Sequence, residues 1–383
     1  MLQTSRVLKR IIRKRFVLFS CFKKDFLIPF TIISVACPGS FKMLHIFSGE
    51  EHIQRQQYDK KNSTFLPKYR SPCWYDQAAD NKTMQLKCLP YFYLIGAPKC
   101  GTTDLQSRMI AHPLISEKVV KEPHWINRQR YRFGNELSNY LHLFNKAVQE
   151  DIVDIEQNGY HPIIFGDCSA STLWDIRLMM RESRYLGFTE PPYTNADIIQ
   201  QLNPFAKFVL ILRNPTQRLY SDYLYFGKGD NAYHFHDSAL DAVKNVTTCL
   251  ANYSLRHCAY LDLPQTVRLH IGLYHVFLED FMRVFTRNRI HVLKLEDYSR
   301  NPAKYLDEVF LFLDLGQNHF TKTGLNQSHM NTTKIANRRK KNALQAGDIL
   351  PATKQILDKF YKPFNERLAS LLGNEFNYNT NVK

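Results

Sequence analysis

The segment GAPKCGTT, Gly96–Thr103, places one lysine and two threonines within five residues, the lysine between two glycines and the threonines just after the second. An ammonium, two hydroxyls and small residues that expose backbone N–H groups suit a bound phosphate-like anion. The common nucleotide loop, G-x-x-x-x-G-K-[ST], puts its lysine after the second glycine. Here Lys99 stands two places before Gly101, so the anion is not held in the usual nucleotide manner. A second set lies in FVLILRNPTQRLYSDY, Phe208–Tyr223, where Arg213 is followed eight residues later by Ser221. An arginine fork and a hydroxyl can grip a second phosphate. Alone, such an arginine reads equally well as a plain salt bridge. A third set is VVKEPHWINR, Val119–Arg128, with Glu122 two places before His124. A carboxylate beside an imidazole can take a proton from a poor nucleophile. The plainer alternatives are a Glu122 ion pair with Lys121 or Arg128, and a structural His124.

These residues need elements to bring them together. Tyr91–Ile95, Ile163–Phe165, Phe208–Leu212 and Ile290–Leu295 are short runs that are apolar along their length, as expected for strands buried on both faces. Helical patterns follow at Thr103–Ala111, Pro215–Phe226, Pro302–Leu313 and Thr353–Leu371. Asn214-Pro215 and Asn301-Pro302 supply a capping residue before a first-turn proline. Strand–helix alternation predicts an α/β fold with a parallel central sheet flanked by helices. In such sheets ligands bind beyond the carboxyl ends of the strands. Lys99 and Arg213 follow two of those ends.

The remainder of the chain bears on location and partners. Its 383 residues carry a formal net charge of +16, and residues 1–24 hold eight Lys/Arg and no Asp/Glu. The other 43 basic residues against 35 acidic ones suit an anionic partner. On charge alone, nucleic acid, an anionic glycan and a phosphate-bearing small molecule stay open. Residues 1–25 read as a cytosolic basic tail, 26–47 as an uncleaved signal-anchor in the membrane, 48–70 as a polar stem, and 71–383 as one lumenal domain. A cleaved signal peptide is the alternative for the apolar stretch. Six Asn-x-Ser/Thr sequons, at Asn62, Asn81, Asn245, Asn252, Asn326 and Asn331, fit a secretory-pathway glycoprotein. Of eight cysteines, Cys73 and Cys88 flank one short loop and Cys249 and Cys258 another. Both pairs are expected as disulfides in an oxidising lumen. Cys100 and Cys168 are expected to be free, and no Cys/His set has zinc spacing.

P-K-x-G-T-T after the first strand, with R-N-P-x-x-R-x-x-S-x-Y later, resembles the sulfotransferase family. The similarity runs from about Leu89 to Leu372 and includes HVLKLEDY followed by an Asn-Pro helix. It implies a P-loop-like sulfotransferase fold and the donor 3′-phosphoadenosine 5′-phosphosulfate, with no metal required. By the same resemblance Lys99, Cys100, Gly101, Thr102 and Thr103 hold the 5′-phosphosulfate, and Arg213 and Ser221 the 3′-phosphate. Glu122 matches the catalytic glutamate of glycosaminoglycan sulfotransferases, with His124 beside it. The displaced lysine is then explained by a phosphosulfate, whose bridging oxygen Lys99 would meet. CLPYFYLIGAPKCGTTDL, KEPHW, SASTLWD and KFYKPFNERLASLL are most similar to Golgi carbohydrate sulfotransferases of the N-acetylgalactosamine 4-sulfate 6-O-sulfotransferase type. The implied acceptor is a sulfated glycosaminoglycan, the implied site a Golgi membrane of type II topology, and no nucleic acid partner is expected.

Heparan-type relatives often carry Glu-Lys-Ser at the third strand end, where this chain has Asp167-Cys168-Ser169. That departure disfavours a heparan acceptor and leaves Ser169 and Ser171 as residues expected to touch donor or acceptor. KIANRRKKNALQAG, Lys334–Gly347, sets Arg338 and Arg339 beside Lys340 and Lys341. Relatives close a basic loop over the donor near here. Binding of acceptor sulfates and a solvated charge run are the other readings. A P-loop kinase would need the lysine after the second glycine and a metal-binding carboxylate. A glycan-binding glycoprotein without catalysis would not need Lys99 and Glu122 together.

Overall fold

The computed structural model describes residues 65–77, 83–132, 134–182, 185–226, 231–260, 267–316 and 346–379. The expected tail and anchor, most of the stem, the sequons at Asn62, Asn81, Asn326 and Asn331, and the Arg338–Lys341 run lie outside these residues. Among the described residues no helix is long and apolar enough to cross a membrane. Within the expected stem, Tyr69 forms a parallel bridge with His161 and stacks on its ring.

A two-stranded antiparallel hairpin comes first, β1 (Cys73–Gln77) against β2 (Met84–Cys88). Its register puts Cys73 opposite Cys88, and the two are joined as a disulfide. Four parallel strands form the main sheet in the order β4-β3-β5-β6: β3 (Phe92–Gly96), β4 (Gly166–Asp167), β5 (Lys207–Leu212) and β6 (Ile290–Lys294). Every residue of β3 and β5 is buried, which is what a continuous apolar run without alternation predicts for central strands. The third expected strand is displaced: pairing with β3 begins at Gly166 rather than in Ile163–Phe165. Its apolar residues are buried all the same, and Ile164 bridges to Ile115 instead. A Cβ at Gly166 would meet the Phe92 ring at 2.3 Å, so only glycine lets the two strands close there.

Helix α1 (Thr102–Met109) follows β3, and α2 (Pro215–Phe226) follows β5. At the start of α2 the Asn214 side chain accepts from the Gln217 amide at 3.1 Å, as its position before a proline predicts. Among the helices that lack proline signals and are not expected from the sequence are α3 (Ala232–Asn252), α4 (Leu255–Tyr260) and α5 (Tyr274–Val284). Helix α3 buries Phe235, Ala239, Ala242, Val246 and Cys249, a single 3.6-periodic stripe, and Asn231 caps it through the amides of Tyr233 and His234. The Cys249–Cys258 disulfide ties the end of α3 to α4. Asn245 and Asn252, the two described sequon residues, also lie on α3, the first half-buried and the second exposed. Helices α6 (Pro302–Phe312) and α7 (Pro351–Leu372) fall where the Asn-Pro start and the late apolar pattern put them. Because β3 and β5 are neighbours and parallel, the turns that follow them emerge side by side.

Candidate active site

One half of the site is built by backbone. The Ala97 amide donates to the carbonyl of Ile211 at 2.9 Å, and the Cys100 amide donates back to Ala97, closing a tight turn after β3. Lys99 and Gly101 take positive φ, 67° and 90°. At Gly101 a Cβ would also meet Leu295 Cδ1 at 2.8 Å, so a larger residue would be strained by the backbone and would have to displace that methyl. As the residue before α1 it brings no side-chain cap, and the first-turn amides remain available to an anion. Thr102 is buried, and the half-buried Thr103 accepts from Lys121 Nζ at 2.5 Å. The Cys100 thiol is buried 3.8 Å from the Tyr274 hydroxyl, and burial pushes its pKa up to about 12. It therefore serves the turn through backbone and packing, not as a nucleophile.

Tyr274 links that turn to the next one by donating to the carbonyl of Arg213 at 2.9 Å. Arg213 in turn donates to the Lys99 carbonyl at 3.4 Å, so the two loops share their boundary. Ser221 is half-buried on α2. One turn further on, Tyr225 lies under Lys99, whose Nζ sits 3.5 Å from the ring centroid. Burial lowers the Lys99 pKa to about 8; Arg213 and Arg268 push the same way, and Asp222 opposes. Asp222 is buried, accepts from Arg268 Nε at 2.8 Å and pairs with the fully buried Arg218 at 3.6 Å.

The other half is built by side chains. Glu122 and His124 both adopt positive φ, 53° and 52°, an uncommon conformation for non-glycine residues that needs support from outside the loop. The His124 amide donates to Ser169 Oγ at 3.0 Å, and Ser169 donates to Asp167 at 2.7 Å. The Tyr140 hydroxyl donates to the other oxygen of Asp167, also at 2.7 Å. The imidazole is clamped at both ends: Nδ1 lies 3.1 Å from Ser171 Oγ and Nε2 lies 3.2 Å from Glu122 Oε2. An ionised carboxylate only accepts, so Nε2 carries a proton and, in neutral His124, Nδ1 accepts from the Ser171 hydroxyl. Asn127 Nδ2 donates to that hydroxyl oxygen at 2.8 Å, leaving its proton for His124. The His124 hydrogen bond holds the Glu122 carboxyl below the ordinary range, helped by the charges of His124, Lys121 and Arg128, while partial burial opposes.

Several expectations can now be placed. Lys99, Cys100, Gly101, Thr102, Thr103 and Arg213 come together in one loop cluster, with Ser221 and Tyr225 on the helix beside it. Glu122 pairs with His124, while Lys121 goes to Thr103 and Arg128 to Asp175 at 2.8 Å. Ser169 and Ser171, expected at donor or acceptor, both hydrogen-bond to His124. Arg338 and Arg339 lie outside the described residues. Cys100 and Cys168 are free and buried, and among the described residues no group of three or more His, Cys, Asp or Glu could hold a metal. Asp222, Tyr225 and Arg268 were not expected. The Arg218–Asp222 spacing of four on α2 could have pointed to the first; nothing near Arg268 in sequence marks it.

The chain matches the family described as "Sulfotransferase domain" over residues 90–362, from just before β3 to within α7. Carbohydrate sulfotransferase 15 of Homo sapiens is 34% identical over 368 residues, covering 81% of this chain and 65% of that protein. The chain thus spans about 65% of the length of the curated relatives it matches. Among solved structures, a sulfotransferase from Alicyclobacillus acidocaldarius is 18% identical with a TM-score of 0.45, covering 74% of this chain and 96% of that one. Mouse sulfotransferase SULT7A1 complexed with PAP is 11% identical with a TM-score of 0.39, covering 75% and 87%. With the family match reaching across the sheet and both loops of the site, the chain belongs to the sulfotransferase family.

Proposed function

We propose that this protein transfers a sulfuryl group from 3′-phosphoadenosine 5′-phosphosulfate to a glycosaminoglycan hydroxyl, O-6 of N-acetylgalactosamine 4-sulfate in chondroitin or dermatan sulfate. The observation that carries the reading is the bond from Lys121 to Thr103 at 2.5 Å. It seats the residue next to Glu122 on the first turn of the anion loop, bringing a carboxylate base beside an anion cradle. Donor and base are then within reach of one acceptor hydroxyl.

The loop suits the donor: it brings uncapped first-turn amides, two threonines and a part-buried lysine together just after the strand. Arg213 and Ser221 take the 3′-phosphate. Glu122 Oε accepts the acceptor's hydroxyl proton as its oxygen bonds to sulfur. The bond from sulfur to the bridging phosphate oxygen breaks, and the Lys99 ammonium stabilises the charge left there. Positioning and electrostatics do most of the work, as in phosphoryl transfer. His124 donates to Glu122 and keeps it ionised and aimed. The 34% identity to carbohydrate sulfotransferase 15 supports the choice of acceptor. We further assign residues 1–25 to a cytosolic tail, 26–47 to a membrane anchor and the body to the Golgi lumen. Two disulfides and an exposed sequon at Asn252 support that assignment.

The test is transfer from labelled donor to a panel of chondroitin, dermatan and heparan acceptors, with disaccharide analysis of the products. The expected product is the 4,6-disulfated disaccharide. Sulfate appearing only on heparan, or on none of the panel, would overturn the acceptor assignment.

A further inference from the structure

Arg268 belongs to none of the sequence motifs, yet its guanidinium stands where the two halves of the site meet. Its Nε and Nη2 donate to buried Asp222, which fixes the plane of the group. One face lies over the Phe226 ring, 4.3 Å from its centroid, and Trp174 lies 5.9 Å away. Phe226 adjoins Tyr225, the ring beneath Lys99, while Trp174 follows three residues after Ser171, which holds His124. Arg268 therefore packs on a neighbour of Tyr225 on the donor side and has Trp174, whose amide donates to the Ser171 carbonyl at 3.2 Å, near it on the base side. Its charge is felt at Lys99, where it lowers the ammonium's pKa. Among the described residues Nη1 has no hydrogen-bond acceptor, although the side chain keeps about a quarter of its surface exposed.

An arginine tied at one edge, stacked on one face and open at the other edge is preorganised for a bidentate oxyanion. The acceptor assigned above already bears a sulfate on C4, the carbon next but one to the C6 that carries the reacting oxygen. Whatever recognises that sulfate must lie beside the line from Lys99 to Glu122, within one sugar ring of the chemistry. Resting on that functional reading, we propose that Arg268 is the residue that reads the acceptor's resident sulfate, its open edge gripping the 4-sulfate while the half-exposed rings of Tyr225 and Phe226 support the sugar. Asp222 is then a positioning residue that acts through Arg268.

The experiment compares wild type, Arg268→Gln and Arg268→Lys as full chains. The probes are chondroitin 4-sulfate and chemically desulfated chondroitin oligosaccharides, read by calorimetric binding with the 3′,5′-bisphosphate product present and by initial transfer rates. Losing a charge-assisted pair should weaken wild-type binding of the 4-sulfated probe roughly 10–100-fold in Arg268→Gln, with less than about a threefold change for the desulfated probe. Arg268→Lys keeps a charge against Asp222 and guards against misfolding; its preference for the sulfated probe should drop by a smaller factor, about 3–10-fold. Product affinity should stay within about twofold of wild type in both. Equal losses on both probes would make Arg268 structural, and a fall in product affinity would move it to the donor site; either result overturns the proposal. The binding arm needs no turnover. Wild type that binds the sulfated probe through Arg268 but transfers nothing would refute the functional reading alone.

Discussion

The loop after β3 and the loop from Lys121 to Arg128 face the same chemistry but are made in opposite ways. The first is set by backbone: a glycine at φ 90°, a turn closed from Cys100 to Ala97, and a helix start within seven residues of the strand. The second is set by side chains 45 to 47 residues away, with Ser169 on the His124 amide and Ser171 on its ring. A backbone-built cradle tolerates changes to neighbouring side chains and fails when its own charges go. A loop held by distant hydroxyls is sensitive one shell further out. Substitutions on the two sides should therefore differ in what they damage as well as in how much.

The largest effect is expected on the base side. Glu122→Gln keeps size and most packing but cannot take the proton, so turnover should fall by roughly 10²–10⁴. Melting temperature and affinity for the 3′,5′-bisphosphate product should be unchanged, since the donor is held elsewhere. Near-normal turnover in a folded Glu122→Gln protein would end the base assignment and make His124 the next candidate.

On the donor side Lys99→Ala should cost roughly 10²–10³ in turnover, the usual worth of one preorganised charge at a developing anion. Its pH dependence separates charge from shape. Burial brings Lys99 to about 8, so the free enzyme loses the ammonium as pH rises through that value, and kcat/KM should decline with it. Lys99→Arg carries a charge that does not titrate there, and the alkaline limb should move to higher pH in whatever activity remains. An alkaline limb at the same pH in Lys99→Arg would assign it to another group. Arg213→Ala should be milder in rate and specific in binding: calorimetry should find the bisphosphate product weakened by about 1.5–3 kcal/mol. Wild-type affinity would remove Arg213 from the donor site.

The same contrast decides what could be read before the fold was known. The central strands, the turns after β3 and β5, and the Asn-Pro helix starts are local: each is a run, a glycine or a cap whose meaning is complete within about ten residues. Helix α3 lacks a proline, its cap is the single Asn231, and its buried stripe is half alanine, so apolar periodicity is weak. The fold supplies its partners. Both disulfides span short separations, 15 and 9 residues, and were legible for that reason. Glu122 and His124 were legible as a pair of types. That Ser171, Asn127 and Asp167 fix them is a tertiary fact with no sequence period. Arg268 is the extreme case, since its meaning lies wholly in Asp222 and two rings from other elements.

Ser171→Ala should have the smallest effect and gives the sharpest test of a side-chain-built half site. Ser171 touches neither reacting atom in the proposed mechanism; it acts on Nδ1 of His124, and through Nε2 on Glu122. Without the hydroxyl, the imidazole loses the bond that favours the Nε2–H form, and the carboxylate loses part of the donor that holds its pKa down. Lys121 and Arg128 also face Glu122 and still lower it, so the relief is partial. The sign follows: the Glu122 pKa rises towards the ordinary value, a smaller fraction is ionised in mild acid, and the acid limb of kcat/KM moves to higher pH. Turnover on the plateau should fall about tenfold or less, the worth of one hydrogen bond of about 1 kcal/mol, with product affinity unchanged. Buried Asn127 also loses its acceptor, so melting temperature should drop for a reason unrelated to catalysis. Ser171→Thr keeps the hydroxyl and should restore the acid limb even if packing is imperfect. A purely structural Ser171 predicts the lower melting temperature with the acid limb fixed in place, and that result would detach Ser171 from Glu122.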